Sequence, residues 1–152
     1  MMIPPRIVLD ASVVVKRLLK EEDSKLAARL FELLLRTPLP TQIYQTELLT
    51  IECANILWKR VGRGEIDHTQ ARRKMQYLLA AQFTTIPLST ILPTAFDIAL
   101  QEGITVYDAS YLALARLIDA PLVTADKRLF NRLTGKSLQP YLLEDYVKKM
   151  QR

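Results

Sequence analysis

The chain has 152 residues, is 49% hydrophobic and 24% charged, and carries a formal net charge of +5 with a pI near 9.4. That length buries one good core and hardly two, and the positive balance favours an anionic partner, nucleic acid first. A single Cys53 excludes an internal disulfide or a cysteine-based zinc site, a single His68 excludes paired-imidazole acid/base chemistry, and the glycines at 62, 64, 103 and 135 form neither dinucleotide nor P-loop motifs.

The opening residues Met1 to Arg6 have no apolar targeting segment, and charged residues break every later stretch short of membrane-spanning length, so a cytoplasmic protein without a membrane segment is expected. Arg6 to Leu9 is a short β-branched strand, followed by a helix near Ala11 to Leu19 and a helical stripe through Leu26, Leu30, Leu33 and Leu34. Pro38 and Pro40 bracket a turn before a strand at Gln42 to Tyr44, after which Thr46 can cap a helix running to about Arg60, stopped by Gly62 and Gly64. Asp67 with Gln70 reads as a capping box for a helix through Met75, Leu78 and Leu79. Thr84 to Pro87 is a further strand, Ser89 an N-cap with Pro93 in the first turns, and Gly103 the stop of the helix Ile91 to Leu100.

From Asp108 onward the run Ala-Ser-Tyr-Leu-Ala-Leu-Ala-Arg-Leu-Ile is apolar on nearly every face, so this helix is expected to be buried on more than one side. Leu122 to Thr124 is an uninterrupted apolar strand of the kind found inside parallel sheets, a last strand lies near Leu138 to Leu142, and a Lys-rich helix ends the chain. Strands alternating with helices on this scale predict an α/β fold, a central parallel sheet with helices on both faces, in a single domain over 1–152. Sites in such sheets lie beyond the carboxyl ends of strands, where strand order reverses, and Asp10 and Asp126 each end a predicted strand.

Four acids stand in unlike settings: Asp10 after Ile7-Val8-Leu9, Glu52 inside a helical apolar stripe, Asp108 after Val106-Tyr107, and Asp126 after Leu122-Val123-Thr124-Ala125. Taken singly, each Asp precedes helical sequence and reads as an N-cap, whose replacement by Ala costs about 0.5 to 2 kcal/mol. Capping does not account for Glu52, which falls between Leu48, Leu49 and Ile56 at 100° per residue, unless it snorkels outward or pairs with a base such as Lys59. Glu47 reads as a surface or capping residue at the helix start. Carboxylates held together repel one another, and a hard cation, Mg²⁺ or Mn²⁺, is the group whose oxygen preference such a set satisfies.

Four segments carry a resemblance: Ile7-Val8-Leu9-Asp10-Ala11-Ser12, Ile51-Glu52-Cys53-Ala54-Asn55-Ile56-Leu57-Trp58-Lys59, Val106-Tyr107-Asp108-Ala109-Ser110-Tyr111-Leu112-Ala113-Leu114-Ala115, and Leu122-Val123-Thr124-Ala125-Asp126-Lys127-Arg128-Leu129. In order and separation the chain resembles the PIN-domain ribonucleases, and within them the VapC-type toxins of toxin–antitoxin pairs. The resemblance implies a PIN-like fold, an acidic quartet of Asp10, Glu52, Asp108 and Asp126, Mg²⁺- or Mn²⁺-dependent cleavage of RNA, homodimers, and inhibition by a cognate antitoxin whose tail lies along the active-site groove. On this reading Asp10 and Asp108 are the principal metal ligands, while Asp126 and Glu52 bind a second ion or orient a water. Ser12 and Thr124 hold carboxylates or waters, or serve only as helix-end hydrogen bonders.

Lys16 and Arg17, within two turns of Asp10, and Lys127 and Arg128, directly after Asp126, are the candidate phosphate contacts. Arg72-Arg73-Lys74 and Lys148-Lys149 read as solvated faces, and Phe31, Leu34 and Leu35, and separately Tyr77 with Leu78, as core before groove or dimer face. Two rivals remain open: a non-catalytic RNA-binding module of the same fold, and a phosphoryl-transfer enzyme with an Asp nucleophile, against which Asp10 is followed by Ala-Ser rather than a second acid.

Overall fold

The computed structural model describes residues 5–36 and 40–151, so the turn expected at Pro38 lies outside the described residues. Strands β1 (Arg6–Leu9), β2 (Gln42–Gln45), β3 (Thr84–Thr85), β4 (Leu122–Thr124) and β5 (Tyr141–Leu142) form one parallel sheet in the order β3-β2-β1-β4-β5. Burial explains the order. Ile7, Val8 and Leu9 of β1 and Leu122, Val123 and Thr124 of β4 are all buried, as a strand covered on both faces must be, whereas both residues of β3 and Tyr141 of β5 are exposed at short edges. Val8 is level with Leu122 and Leu9 with Val123, so the next step brings Asp10 level with Thr124 where the strand order reverses.

Eight helices connect the strands among the described residues: α1 (Ala11–Leu18), α2 (Ser24–Leu35), α3 (Glu47–Gly62), α4 (His68–Ala80), α5 (Leu88–Glu102), α6 (Val106–Leu117), α7 (Lys127–Leu133) and α8 (Leu143–Met150). Helix α1 packs on α2, α3 and β4, α2 packs on α8, and α3 on α4. Helix α6 packs on β1, β2, β4 and α5, and its residues Ala109 through Ala115 are all buried, so its all-round apolar sequence is the signature of a helix enclosed by sheet and helix together.

Local chemistry departs from the sequence reading in four places. Thr46 stands at the N-cap of α3 but makes no side-chain capping bond, and α3 continues through Gly62. Helix α5 starts one residue before Ser89, with Pro87 at the cap. The carboxylate of Glu47 on α3 accepts the Leu88 N–H at 2.8 Å and so does for α5 the work assigned to Ser89. Helix α6 begins at Val106, two residues ahead of Asp108, because the Thr105 hydroxyl accepts the Asp108 N–H at 3.1 Å and takes the cap. Helix α7 is the helical sequence expected after Asp126, whereas the strand expected over Thr84 to Pro87 shrinks to β3, which spans only two residues.

The capping box at α4 forms as expected, with the Gln70 N–H on Asp67 Oδ1 at 2.7 Å and the Asp67 N–H on Gln70 Oε1 at 2.9 Å. Asp67→Ala should therefore cost about 1 kcal/mol in urea unfolding, with the sheet and the acidic pole unaffected.

Candidate active site

The site begins where β1 and β4 end side by side. Asp10 is only 5% exposed and takes the N-cap of α1: its Oδ1 accepts the Ser12 N–H at 3.0 Å, the Val13 N–H at 3.3 Å and the Ser12 hydroxyl. Ser12 Oγ in turn accepts the Ala125 N–H at 2.9 Å and lies 3.4 Å from Thr124 Oγ1, which accepts the Asp126 N–H at 3.0 Å. Asp126 caps α7, accepting from the N–H groups of Arg128 at 2.9 Å and Leu129 at 3.2 Å. Asp10 and Asp126 thus do both things the sequence suggested, capping a helix and standing at the switch point. Ser12 and Thr124 are the hydrogen bonders that tie the two strand ends together.

The other two acids arrive on helices. Asp108 is the third residue of α6, half-buried in its first turn, and not a strand-end or capping residue as its sequence position suggested. Glu52 projects from the middle of α3, half-buried beside buried Leu48 and Leu49; it neither snorkels to bulk water nor pairs with Lys59, because the buried Tyr111 of α6 donates its hydroxyl to Glu52 Oε2. Burial pushes the Glu52 carboxyl up, Tyr111 pulls it down, and the Asp108 charge raises it again. The Asp108 carboxyl is raised by burial and by Asp126 and lowered by Thr105 and Arg128. Asp10 is pushed up to about 6, by burial above all, against the lowering effect of its hydrogen bonds. Glu52, Asp108 and Asp126 are thus coupled in sequence by charge, while the charge of Asp10, like that of Glu52, reaches Tyr111 and Cys53.

The four acids fit a hard cation in donor chemistry: all four candidates offer carboxylate oxygen, and three of them are held above their ordinary range by burial, two with help from neighbouring negative charge. Among the described residues no three His, Cys, Asp or Glu side chains stand close enough together to hold a metal ion between them. The counter-charge at hand is Arg128, whose guanidinium lies 3.8 Å from Asp126 on a side chain 87% exposed.

The other bases separate. Lys127 is exposed beside Glu144 of α8, and Arg17 lines a groove, whereas Lys16 is held by Glu21 at 3.3 Å and the Glu22 carbonyl at 2.7 Å, a pair that would have to break before Lys16 met a phosphate. Of the run read as solvated, Lys74 instead bonds the Leu18 carbonyl at the end of α1, at 2.5 Å. Leu34 and Leu78 join the core as expected and Phe31 packs against it, while Leu35 and Tyr77 are exposed; Phe31, Leu35, Tyr77 and Leu78 all line one groove of about 1030 Å³ between α2 and α4. Tyr111 and Thr105 are the site residues that sequence reasoning passed over. A Tyr in an otherwise apolar helix three residues after Asp108 was the available signal, because a buried phenol needs a hydrogen-bond partner.

A PIN domain model matches residues 7–136, and the chain belongs to the PIN-domain family. Ribonuclease VapC3 of Pyrobaculum aerophilum is 32% identical over 126 residues, covering 82% of this chain and 92% of that protein. In architecture the chain is similar to the crystal structure of PAE2754 from Pyrobaculum aerophilum, with a TM-score of 0.67, 22% identity, and 96% and 89% of the two chains covered. It is also similar to VapBC2 from Rickettsia felis, solved bound to a promoter DNA fragment, with a TM-score of 0.61, 19% identity, and 90% and 96% covered.

Asp10 gives the metal-free protein a definite pH dependence. Folding raises its pKa from 3.8 to about 6, so between those values the folded state holds a proton that the unfolded state has released. Stability therefore falls as pH rises from about 4 to about 6, by about 3 kcal/mol at the full shift, and stays at the lower level above that window. Urea unfolding in EDTA across pH 4 to 7 should show this slope, and Asp10→Asn, which keeps an acceptor for the cap but cannot ionise, should flatten it.

Proposed function

We propose that this chain is a Mg²⁺- or Mn²⁺-dependent endoribonuclease, the toxin of a toxin–antitoxin pair, acting in the cytoplasm as a homodimer that a cognate antitoxin restrains. What supports the reading is the charge coupling of Glu52, Asp108 and Asp126 near the carboxyl ends of the central strands, with buried Asp10 at the end of β1, in a chain 32% identical to a ribonuclease over most of both lengths. The four acids in place weigh against a non-catalytic RNA-binding module.

Asp10 and Asp108 would be the principal ligands of the ion, with Asp126 and Glu52 holding a second ion or orienting a water. When bound, such an ion supplies a water of lowered pKa and offsets charge on the phosphoryl oxygens. The chain's own residues do the rest. Ser12 and Thr124 hold Asp10 and the start of α7 in register at the ends of β1 and β4. Arg128 and Lys127, exposed beside Asp126, draw in the phosphate backbone; an RNA phosphate competes with Asp126 for Arg128 and leaves that carboxylate to the ion. In-line attack by water breaks the P–O3′ bond and leaves 5′-phosphate and 3′-hydroxyl ends. Cleavage of a structured RNA should require Mg²⁺ or Mn²⁺, stop in EDTA, and fall by at least about 100-fold in Asp10→Asn, in line with losses on removing a group that stabilises transition-state charge. A 2′,3′-cyclic phosphate product would contradict the reading, because it needs the RNA 2′-hydroxyl as nucleophile.

Two surfaces support the proposed partners. The groove lined by Phe31, Leu35 and Tyr77 is rimmed by Arg17, Arg73 and Lys74, which suits an antitoxin segment that is apolar on one side and acidic on the other. Leu92, Phe96 and Leu100 make an exposed apolar stripe along α5, a helix with no Lys or Arg. Ile51 on α3 is also exposed, one turn past Glu47 as Leu92 is one turn past Leu88, and the Glu47–Leu88 bond joins the two helices. A stripe without bases suits protein rather than RNA, and a two-fold pairing would cover it with its own copy. Phe96→Glu should turn the dimer into monomer in sedimentation equilibrium while leaving the fold intact by circular dichroism.

A further inference from the structure

Glu52 differs from the other three acids in how it is held. Asp10 and Asp126 accept backbone N–H groups at helix starts, and Asp108 sits in a first turn capped by Thr105. Glu52 has the longest arm of the four and stands in mid-helix, where every backbone N–H is already used by the helix itself. Among the described residues the hydroxyl of Tyr111 is what its carboxylate bonds to. Tyr111 is 4% exposed and lies three positions after Asp108, on the same face of α6, so one buried helix brings to Glu52 both a like charge and the donor that keeps it in place against that charge.

We propose that Tyr111 is the positioning residue of the acidic site, its hydroxyl holding Glu52 beside Asp108 so that the two carboxylates, one from each of two helices, meet the same ion. The assignment rests on the metal-dependent reading above. Without the hydroxyl, repulsion from Asp108 and the pull of water both favour swinging the glutamate out along its three torsions. The bond therefore fixes a geometry that neither helix fixes alone, and hydrogen bonds of this kind behind a metal ligand are commonly worth 10- to 100-fold in affinity or activity.

The test is a cycle of Tyr111→Phe, Glu52→Gln and the double variant, with Mn²⁺ affinity read by electron paramagnetic resonance of the free ion and RNA cleavage measured beside it. Tyr111→Phe should weaken Mn²⁺ by about 10- to 100-fold and lower kcat with KM for RNA held, yet change Mn²⁺ affinity less than about twofold in the Glu52→Gln background. Equal losses in both backgrounds would overturn the proposal, since Tyr111 would then act through packing. Should Tyr111→Phe fail to fold, Glu52→Asp withdraws the carboxylate from the hydroxyl instead; it should lose the same 10- to 100-fold, and full Mn²⁺ affinity would overturn the proposal. A wild type that binds no Mn²⁺ strikes at the metal reading itself. Tyr111 is then judged on a metal-free crystal structure of Tyr111→Phe, in which Glu52 should have left its place and an unmoved Glu52 would count against it.

Discussion

The burial of one carboxylate at the point where two strands part is the constraint on which this molecule turns. Asp10 follows three fully buried residues, so the chain has no freedom to carry it to solvent before α1 begins. Two N–H groups of α1 and the Ser12 hydroxyl meet it, and they do not cancel the cost of taking it from water: its pKa stays well above the ordinary carboxylate range. A protein selected for stability alone would place Ser or Thr at this cap, with the same backbone bonds and no buried charge. Keeping the acid there, with Ser12 tying it to the end of β4, costs stability that the cap alone does not require.

The site extends outward through helices rather than strands. Asp108 and Tyr111 ride on α6, which is enclosed by β1, β2, β4 and α5 and so cannot shift without disturbing the core. Glu52 rides on α3, which packs chiefly on α1 and α4 and is bonded to α5 through Glu47 and to α6 through Tyr111. The site is therefore assembled from parts of unequal rigidity: a stitched strand pair, an enclosed helix, and a more peripheral helix whose acid is secured by a side chain from the enclosed one.

Much of this was legible in the sequence because its physics is local. Uninterrupted apolar runs located β1 and β4, and an acid at the end of each located the switch point, since a doubly wound sheet leaves no other place for them. Thr46 does stand at the start of α3, but the caps of α5 and α6 were misread: Glu47 reaches across from α3 to the start of α5, and Thr105 takes the position given to Asp108. A cap supplied from another element leaves no trace in spacing. Tyr111 was hidden by its surroundings, because a phenol in a run of alanines and leucines reads as packing until its partner is known. Phe31, Leu35 and Tyr77 came from two separate stretches, and only the fold brings them to one groove.

Net charge was the least faithful guide to where a polyanion would bind. The chain is basic overall, but Lys16, Arg29, Arg36, Arg60 and Lys136 are each committed to a neighbouring carboxylate, and their contribution to a distant phosphate is correspondingly reduced. What matters is which cations stand at the acidic pole. Lys127 and Arg128 follow Asp126 into α7, so the same turn that delivers a carboxylate to the site delivers the positive charge beside it. The acids near them would repel a polyanion, and that repulsion is confined within about a Debye length, roughly 8 Å at physiological salt. On the proposed metal-dependent reading, a divalent ion among the carboxylates would cancel part of their negative charge, and the attraction of Lys127 and Arg128 would be less opposed. On that reading, metal occupancy and RNA affinity would be linked reciprocally, each favouring the other through charge without any change in fold.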